Sequence, residues 1–482
     1  MDCLVIDLTH GGVKIAISLV KTKKYDTVYA YDIYKTLKPI DKKMLEVYGV
    51  KVINLETIDK NIKNLTVVSP IHLPLSEEDI KKEINNPNIN YTFLNHHEAV
   101  SLILDEWCEK YPEILKIEVT GVKGKTSSVF MLKEIFNFKN PLILSSLGAL
   151  LYRNGEKTTL KKNISITPAN IKETIDLAYK LSNPICKIAS GEVESENIVE
   201  YGAAIFESSL GVTGIGDIGL LTNIAENYPI AKNRLNAQKA KAQVFRCNLI
   251  AIEKETLDDY YPLEKEKFEN KINTFSLENS EANVYASNIK YSLNKTTFDV
   301  TYTNLKTVTG DKINGRFKIA TFAPGHHHVQ NVLGAITVSL ASNISEDKII
   351  NGLENYKGII GRSSKKTVKN SLIIEEINPG INTKAIENSI DMIKDLENYS
   401  IIIGGDYGIT CEEIDEDKVS NLLDSYDLDL TLTGDVGLNI FNKMDKKHSY
   451  VKNYQDAINK NIKKGKNILF IYRSNYKELN KR

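Results

Sequence analysis

The sequence predicts an α/β protein built from about three domains. Short apolar, β-branched runs recur along all 482 residues and alternate with helix-length stretches. One such run, Ile117 to Thr120, leads through a glycine-bracketed turn directly into a helical stretch. The chain is also too long for a single hydrophobic core. Shifts in pattern place the segments at 1–112, 113–322 and 323–482.

The first segment opens with Cys3-Leu4-Val5-Ile6-Asp7-Leu8, a buried-strand pattern, followed by Thr9-His10-Gly11-Gly12 and an amphipathic stretch from Val13 to Val20. Further strand-like runs lie at Val28–Ile33, Val50–Leu55 and Leu65–Ser69. Strand, glycine turn and helix in that order predict a small parallel α/β domain, Rossmann-like in outline. The full G-x-G-x-x-G fingerprint is missing, so two glycines do not make a nicotinamide site.

The second segment begins with Ile117-Glu118-Val119-Thr120, then Gly121-Val122-Lys123-Gly124-Lys125-Thr126-Ser127-Ser128. Small residues let backbone N–H groups converge on phosphate oxygens, while the following helix turns its positive end toward them. Lys125 is then placed to neutralise outer phosphates, and the Thr126 hydroxyl to ligate magnesium. The leading glycine stands at 121 and Val119 occupies the place it has in the longer form, so the loop is a shortened G-x-x-G-K-T. The competing reading is a chance Gly-Lys-Thr on a surface turn, which the flanking strand and helix disfavour.

Strands follow at Leu142–Ser145, Ala203–Glu207, Ile218–Thr222 and Leu249–Ile252. Glu207 ends an apolar strand, the edge where open α/β sheets hold ligands, which suits it to magnesium; a capping carboxylate is the alternative. By spacing alone Lys239 and Lys241 read as solvated helix lysines, and Glu253 to Lys271 as a solvated surface excursion. Residues Asn283 to Ala323 alternate apolar and polar around a hairpin-like Thr309-Gly310-Asp311. The third segment opens with a helix and carries strands at Leu372–Glu376, Ile401–Gly404, Leu428–Leu432 and Ile468–Tyr472.

The 62 basic residues balance 62 acidic ones, so no global field argues for nucleic acid or a membrane surface as partner. Cysteines at 3, 108, 186, 247 and 411 form no C-x-x-C pair and read as reduced thiols. No apolar run approaches the roughly 20 residues of a membrane helix, and the chain starts on a strand instead of a charged leader. A cytoplasmic protein is expected, with its oligomeric state left open.

The ordered set Gly121 to Thr126, Phe206-Glu207-Ser208-Ser209, Thr222-Asn223-Ile224 and Lys241-Ala242-Gln243-Val244-Phe245 resembles the Mur ligase superfamily. Gly325-His326-His327-His328-Val329-Gln330-Asn331, Gly361-Arg362 and Gly404-Gly405-Asp406 continue the likeness over roughly residues 113 to 482. The resemblance implies a three-domain fold with a central ATP-binding domain and a C-terminal Rossmann-like domain. It further implies that Mg2+-ATP turns a carboxylate into an acyl phosphate. On it, Gly121, Val122, Lys123, Gly124, Lys125, Thr126 and Ser127 hold ATP phosphates, Asn331 faces adenine, and Glu207 holds magnesium. Arg362 closes in to stabilise the transferred phosphoryl group, and Lys241 aligns with a lysine that many members carbamylate into a metal ligand. The chain departs from the pattern where Asn227-Tyr228 replaces an Asp-His pair, where His328 replaces an asparagine, and where Glu375-Glu376-Ile377-Asn378-Pro379-Gly380 stands for an aspartate-centred loop.

In the first segment, Val5 to Gly12, Ser69-Pro70-Ile71-His72 and Asn95-His96-His97-Glu98 are similar to the archaeal branch that makes coenzyme F430. The branch implies a nickel tetrapyrrole polycarboxylate as small-molecule substrate, met by His10, Gly11, Gly12, His72, His96 and His97 at loop ends with help from Lys14. Each histidine taken singly reads equally as a surface or capping residue. On the branch reading, one propionate is activated and a carbocyclic ring closes with release of ADP and phosphate. An amide-forming pseudomurein peptide ligase and a non-ligase P-loop switch or scaffold remain as alternatives.

Overall fold

The computed structural model describes residues 1–183, 199–231, 234–378, 380–393, 398–408, 414–446 and 448–474. Cys186, Cys411, Pro379 and the side chain of Arg362 lie outside the described residues. The chain divides into two compact units, Met1–Ser287 with Asp299–Lys318 and Asn331–Leu353, and Asn288–Phe298 with Ile319–Gln330 and Glu354–Arg482.

In the first unit, β1 (Asp2–Ile6), β2 (Val28–Tyr31), β3 (Lys51–Val52), β4 (Asn64–Ser69) and β5 (Asn90–Asn95) form a parallel sheet in the order β3-β2-β1-β4-β5. That order is the doubly wound one, and β1 is buried on both faces as such sheets require. Cys3 and Val5 join the core under helix Val13–Lys21, with Ile15, Ala16 and Leu19. Leu4 and Ile6 join the opposite core with Leu55, Ile80 and Ile84. The expected strand at Val50–Leu55 shrinks to Lys51–Val52, because a short helical turn takes up Leu55–Thr57.

Helix His96–Lys110 starts sharply because Asn95 caps it. The Asn95 side chain accepts from the His97 and Glu98 amides at 2.9 and 3.0 Å, and Glu98 accepts from the Asn95 amide at 2.8 Å. Near its end Trp107 packs against the core, with the Lys116 ammonium 5.5 Å from its ring centroid.

The largest sheet adds β6 (Leu115–Thr120), β7 (Leu142–Ser145), β8 (Gly148–Arg153), β9 (Glu156–Lys161), β10 (Ala203–Glu207) and β11 (Ile218–Leu221). A two-stranded ribbon, β12 (Pro229–Ile230) with β13 (Leu235–Asn236), stands apart from it. The sheet continues with β14 (Leu249–Glu253), β15 (Ile272–Ser276), β16 (Val284–Lys290), β17 (Thr296–Lys306) and β18 (Lys312–Thr321). The order is β18-β17-β16-β15-β14-β11-β6-β10-β7-β8-β9. Strand β6 lies in its middle, parallel to β10 and β11, so the ends of all three strands open on one edge. The stretch after Glu253 is a correction to the sequence reading. It forms helices Lys254–Tyr260 and Pro262–Lys267, buries Leu257 and Tyr261, and the Tyr261 hydroxyl donates to Gln238 O at 2.7 Å.

In the second unit, β19 (Arg362–Val368), β20 (Ser371–Ile377), β21 (Tyr399–Gly405), β22 (Leu430–Thr433), β23 (Ser449–Val451) and β24 (Asn467–Arg473) take the order β19-β20-β24-β21-β22-β23. Only β19 runs antiparallel to its neighbour. Among the described residues no helix is long and apolar enough to cross a membrane.

Candidate active site

The glycines of the loop are where the backbone needs them. Gly121 has φ 141 and Gly124 φ 83, both on the side of the map that side chains avoid. A Cβ on Gly121 would fall 1.9 Å from Thr222 Oγ1, and one on Gly124 would fall 2.0 Å from Asn331 Oδ1. The loop is therefore clasped on both sides. The Val122 amide donates to Asn223 O at 3.0 Å, and the Lys123 amide to Asn223 Oδ1 at 3.1 Å. Thr222 Oγ1 donates to Lys123 O at 2.6 Å. Helix Lys125–Ile135 begins on Gly124, which brings no capping side chain, and Ser127 is half-buried in its first turn. Lys125 Nζ donates to Gly121 O at 3.0 Å.

Thr126 and Glu207, 81 residues apart, meet at the edge of the sheet. Thr126 Oγ1 donates to Glu207 Oε1 at 2.9 Å and lies 3.1 Å from Ser146 Oγ, while the Ser146 amide donates to Glu207 Oε2 at 3.0 Å. A buried carboxylate with two hydroxyls at the mouth of a phosphate loop is a hard-oxygen set that fits magnesium.

Lys241 corrects the expectation of a solvated lysine: it is fully buried at the end of helix Ala237–Lys241. Its Nζ donates to Ser209 O at 2.6 Å. Burial, and then the nearby charge of Lys125, hold its pKa well below the ordinary lysine value. Neutral amine is the form that takes up CO2, and the N–H of a carbamate would keep the bond to Ser209.

The four N-terminal histidines are close neighbours in space. His10 Nδ1 lies 2.6 Å from Asp7 Oδ2, and His72 Nε2 3.9 Å from the same oxygen. His96 and His97, expected at loop ends, are both buried in the first turn of helix His96–Lys110. Burial lowers their pKa values, to about 4 for His96 and about 3 for His97, and the neighbouring His96 and the charge of Arg246 also act on His97. Gly11 and Gly12 form the turn that carries His10, and a Cβ on Gly12 would meet Asp7 O at 2.1 Å. Lys14 is committed within the protein, its Nζ donating to Asn170 Oδ1 at 2.8 Å and to Glu173 at 2.6 Å.

In the second unit His328 fills the place of the expected asparagine. It is buried, and its Nε2 hydrogen-bonds Ser363, whose hydroxyl donates to Glu376 Oε1 at 2.5 Å. The Gly404-Gly405-Asp406 turn ends β21, and Asp406 accepts from the Tyr472 hydroxyl at 3.1 Å and the Ser474 hydroxyl at 2.9 Å. Arg362 opens β19 just after Gly361.

Sequence reasoning passed over Ser146, Asp7 and Glu118. Ser146 sits in a turn with no motif of its own. Glu118 is wholly buried in β6 and is satisfied by the Thr213, Gly214 and Gly216 amides at 2.8, 2.8 and 3.2 Å. It fixes the loop after β10, and its alternation within an apolar strand was the available signal.

Residues 119–339 match the Mur ligase middle domain, and residues 365–475 match the coenzyme F430 synthetase CfbE C-terminal domain. The coenzyme F(430) synthetase of Methanocaldococcus jannaschii is 28% identical over 465 residues, 94% of this chain and 95% of that protein. The coenzyme F(430) synthetase of Methanosarcina acetivorans is 26% identical, with 88% and 87% covered. A crystal structure of MurF from Acinetobacter baumannii aligns with a TM-score of 0.57 at 15% identity, covering 87% of this chain and 90% of that one, a likeness of fold.

Proposed function

We propose, on the premise that the chain joins a Mur ligase middle domain to a C-terminal domain of the coenzyme F430 synthetase type, that it is an ATP-dependent ligase of coenzyme F430 biosynthesis. Its substrate is the nickel seco-tetrapyrrole acid. One propionate oxygen attacks the γ-phosphorus of ATP and ADP leaves. A carbon of the macrocycle, having lost a proton, then attacks the acyl carbon and phosphate departs, closing the carbocyclic ketone ring.

The observation that carries the reading is the extent of the likeness. It runs through the N-terminal segment and the C-terminal domain, with 94% of the chain covered, and is not confined to the ATP loop. The site is consistent with the chemistry. Backbone amides from Gly124 to Ser127, beyond the Val122 and Lys123 amides that Asn223 engages, cradle the phosphates, and Lys125 neutralises the outer ones. Thr126, Glu207 and a carbamylated Lys241 would hold magnesium, which when bound offsets charge on the transferred phosphoryl group. Asn331, which lies against Gly124, faces the adenine, and Arg362 adds positive charge to the phosphoryl group. His10 and His72 with Gly11 and Gly12 receive the macrocycle, whereas His96 and His97 are buried. Because the nucleophile is tethered to the acid, positioning supplies much of the rate.

The test is ADP release from Mg2+-ATP with the nickel seco-tetrapyrrole acid, compared with a UDP-linked peptide precursor plus amino acid. Turnover with the tetrapyrrole alone, together with a shifted visible spectrum, is the expected result. Turnover only with the amino acid would replace ring closure by amide formation and leave the ATP site as assigned.

A further inference from the structure

The doubly wound sheet reverses direction between β1 and β4, and the carboxyl ends of those two strands deliver Asp7 and the turn carrying His72. Such a reversal opens a crevice where ligands bind. Asp7 stands there with φ 75, uncommon for a residue with a side chain, and is wholly buried. Its Oδ1 accepts the Thr9 and His10 amides at 2.8 and 3.2 Å. That leaves Oδ2 for the two imidazoles, 2.6 Å from His10 Nδ1 and 3.9 Å from His72 Nε2.

One ligating atom from each of the three residues lies within 4.8 Å of the others, the one such group among the described residues. A zinc-class ion holds donors at about 2.0–2.2 Å, so tetrahedral donors stand roughly 3.4 Å apart. The 2.6 and 3.9 Å spacings bracket that value. The His96 ring hydrogen-bonds the Ile6 backbone, one residue before Asp7, and its buried Nε2 has no hydrogen-bond partner. Two imidazoles and one carboxylate favour zinc, cobalt or nickel, whereas magnesium prefers oxygen throughout. The plainer alternative is an Asp7–His10 hydrogen bond with His72 stacked beside it, the two rings meeting edge to face at 4.6 Å.

We propose that Asp7, His10 and His72 bind one divalent transition-metal ion of the zinc class, leaving a coordination position for water or a substrate carboxylate. The site differs in its donors from the Thr126–Glu207 pair and does not depend on the ring-closing reading. The full chain, stripped with a chelator and returned to buffer with excess magnesium, is titrated with Co2+ and followed by visible absorption. The expected result is saturation at one equivalent with the band of a four- or five-coordinate nitrogen and oxygen site, displaced by Zn2+. Loss of a group that only orients a ligand weakens metal binding about 10- to 100-fold, so His10→Ala and His72→Ala should each weaken it at least 10-fold, with unchanged far-ultraviolet circular dichroism. A titration without a saturable band, or one that neither substitution alters, overturns the proposal.

Discussion

Lys241 is the residue whose environment departs furthest from what its neighbours in sequence suggest. Gln238-Lys239-Ala240-Lys241 reads as a polar helix face, yet Lys241 is enclosed and bonded to Ser209 O while Lys239 is not buried. Tertiary packing decided this, and no local spacing carries it. Lys125, Thr126 and Glu207 were legible because a strand end, a glycine turn and a helix start constrain one another. Asp7 was not, since its role rests on a φ of 75 and on His72, which is brought in by a different strand. If Lys241 works as a carbamate, removing bicarbonate and CO2 from the assay should slow ADP release and adding bicarbonate should restore it. Lys241→Met should then lose turnover by about 100-fold or more and no longer respond to bicarbonate. Glu207→Gln should lower turnover by a similar factor, and raising magnesium should recover part of it, as seen in ADP release over a magnesium series.

At the scale of elements, the strands that read clearly were the doubly buried ones. Ala203–Glu207 and Leu142–Ser145 were found to the residue because a continuous apolar run between turn signals leaves little choice. Among the strands missed are the edge strands β5 and β19. Asn90-Tyr91-Thr92-Phe93-Leu94-Asn95 and Arg362-Ser363-Ser364-Lys365-Lys366-Thr367-Val368 are polar enough to pass for connections. Loop and helix meet at Gly124, where backbone angle and crowding can be separated by experiment. Gly124→Ala combines φ 83 with a contact at 2.0 Å to Asn331, whereas Gly155→Ala combines φ 84 with an ordinary contact at 3.7 Å to Asn137 Nδ2. Unfavourable backbone alone costs about 1–3 kcal/mol. Both variants should therefore melt lower, but only Gly124→Ala should weaken ATP binding, by about 10-fold or more, in equilibrium titration.

For the molecule as a whole, buried neutral histidines set an acid limit. Burial lowers His96 to about 4 and His97 to about 3 in the first unit and holds His328 well below the ordinary value in the second. The folded chain refuses protons that the unfolded chain accepts once the pH drops below the ordinary histidine value of 6.5. Stability should thus be level above that pH and fall between it and about pH 4, by a few kcal/mol per histidine at about 1.4 kcal/mol per pKa unit. Urea midpoints should decline over this window, and His97→Gln should flatten the decline; a midpoint that rises on acidification would contradict the assignment. The two units also divide the proposed chemistry, with Lys125 in one and Arg362 in the other. Arg362→Ala should accordingly depress turnover more than ATP affinity, whereas an equal loss of both would count against its role on the phosphoryl group. The indole of Trp107 belongs to the helix that starts with His96 and His97, and it is the chain's single tryptophan. Its emission is therefore an unlabelled optical gauge of the first unit alone, while circular dichroism sums over both. Overlaying the two melting curves will tell whether the units come apart as one cooperative body or in turn.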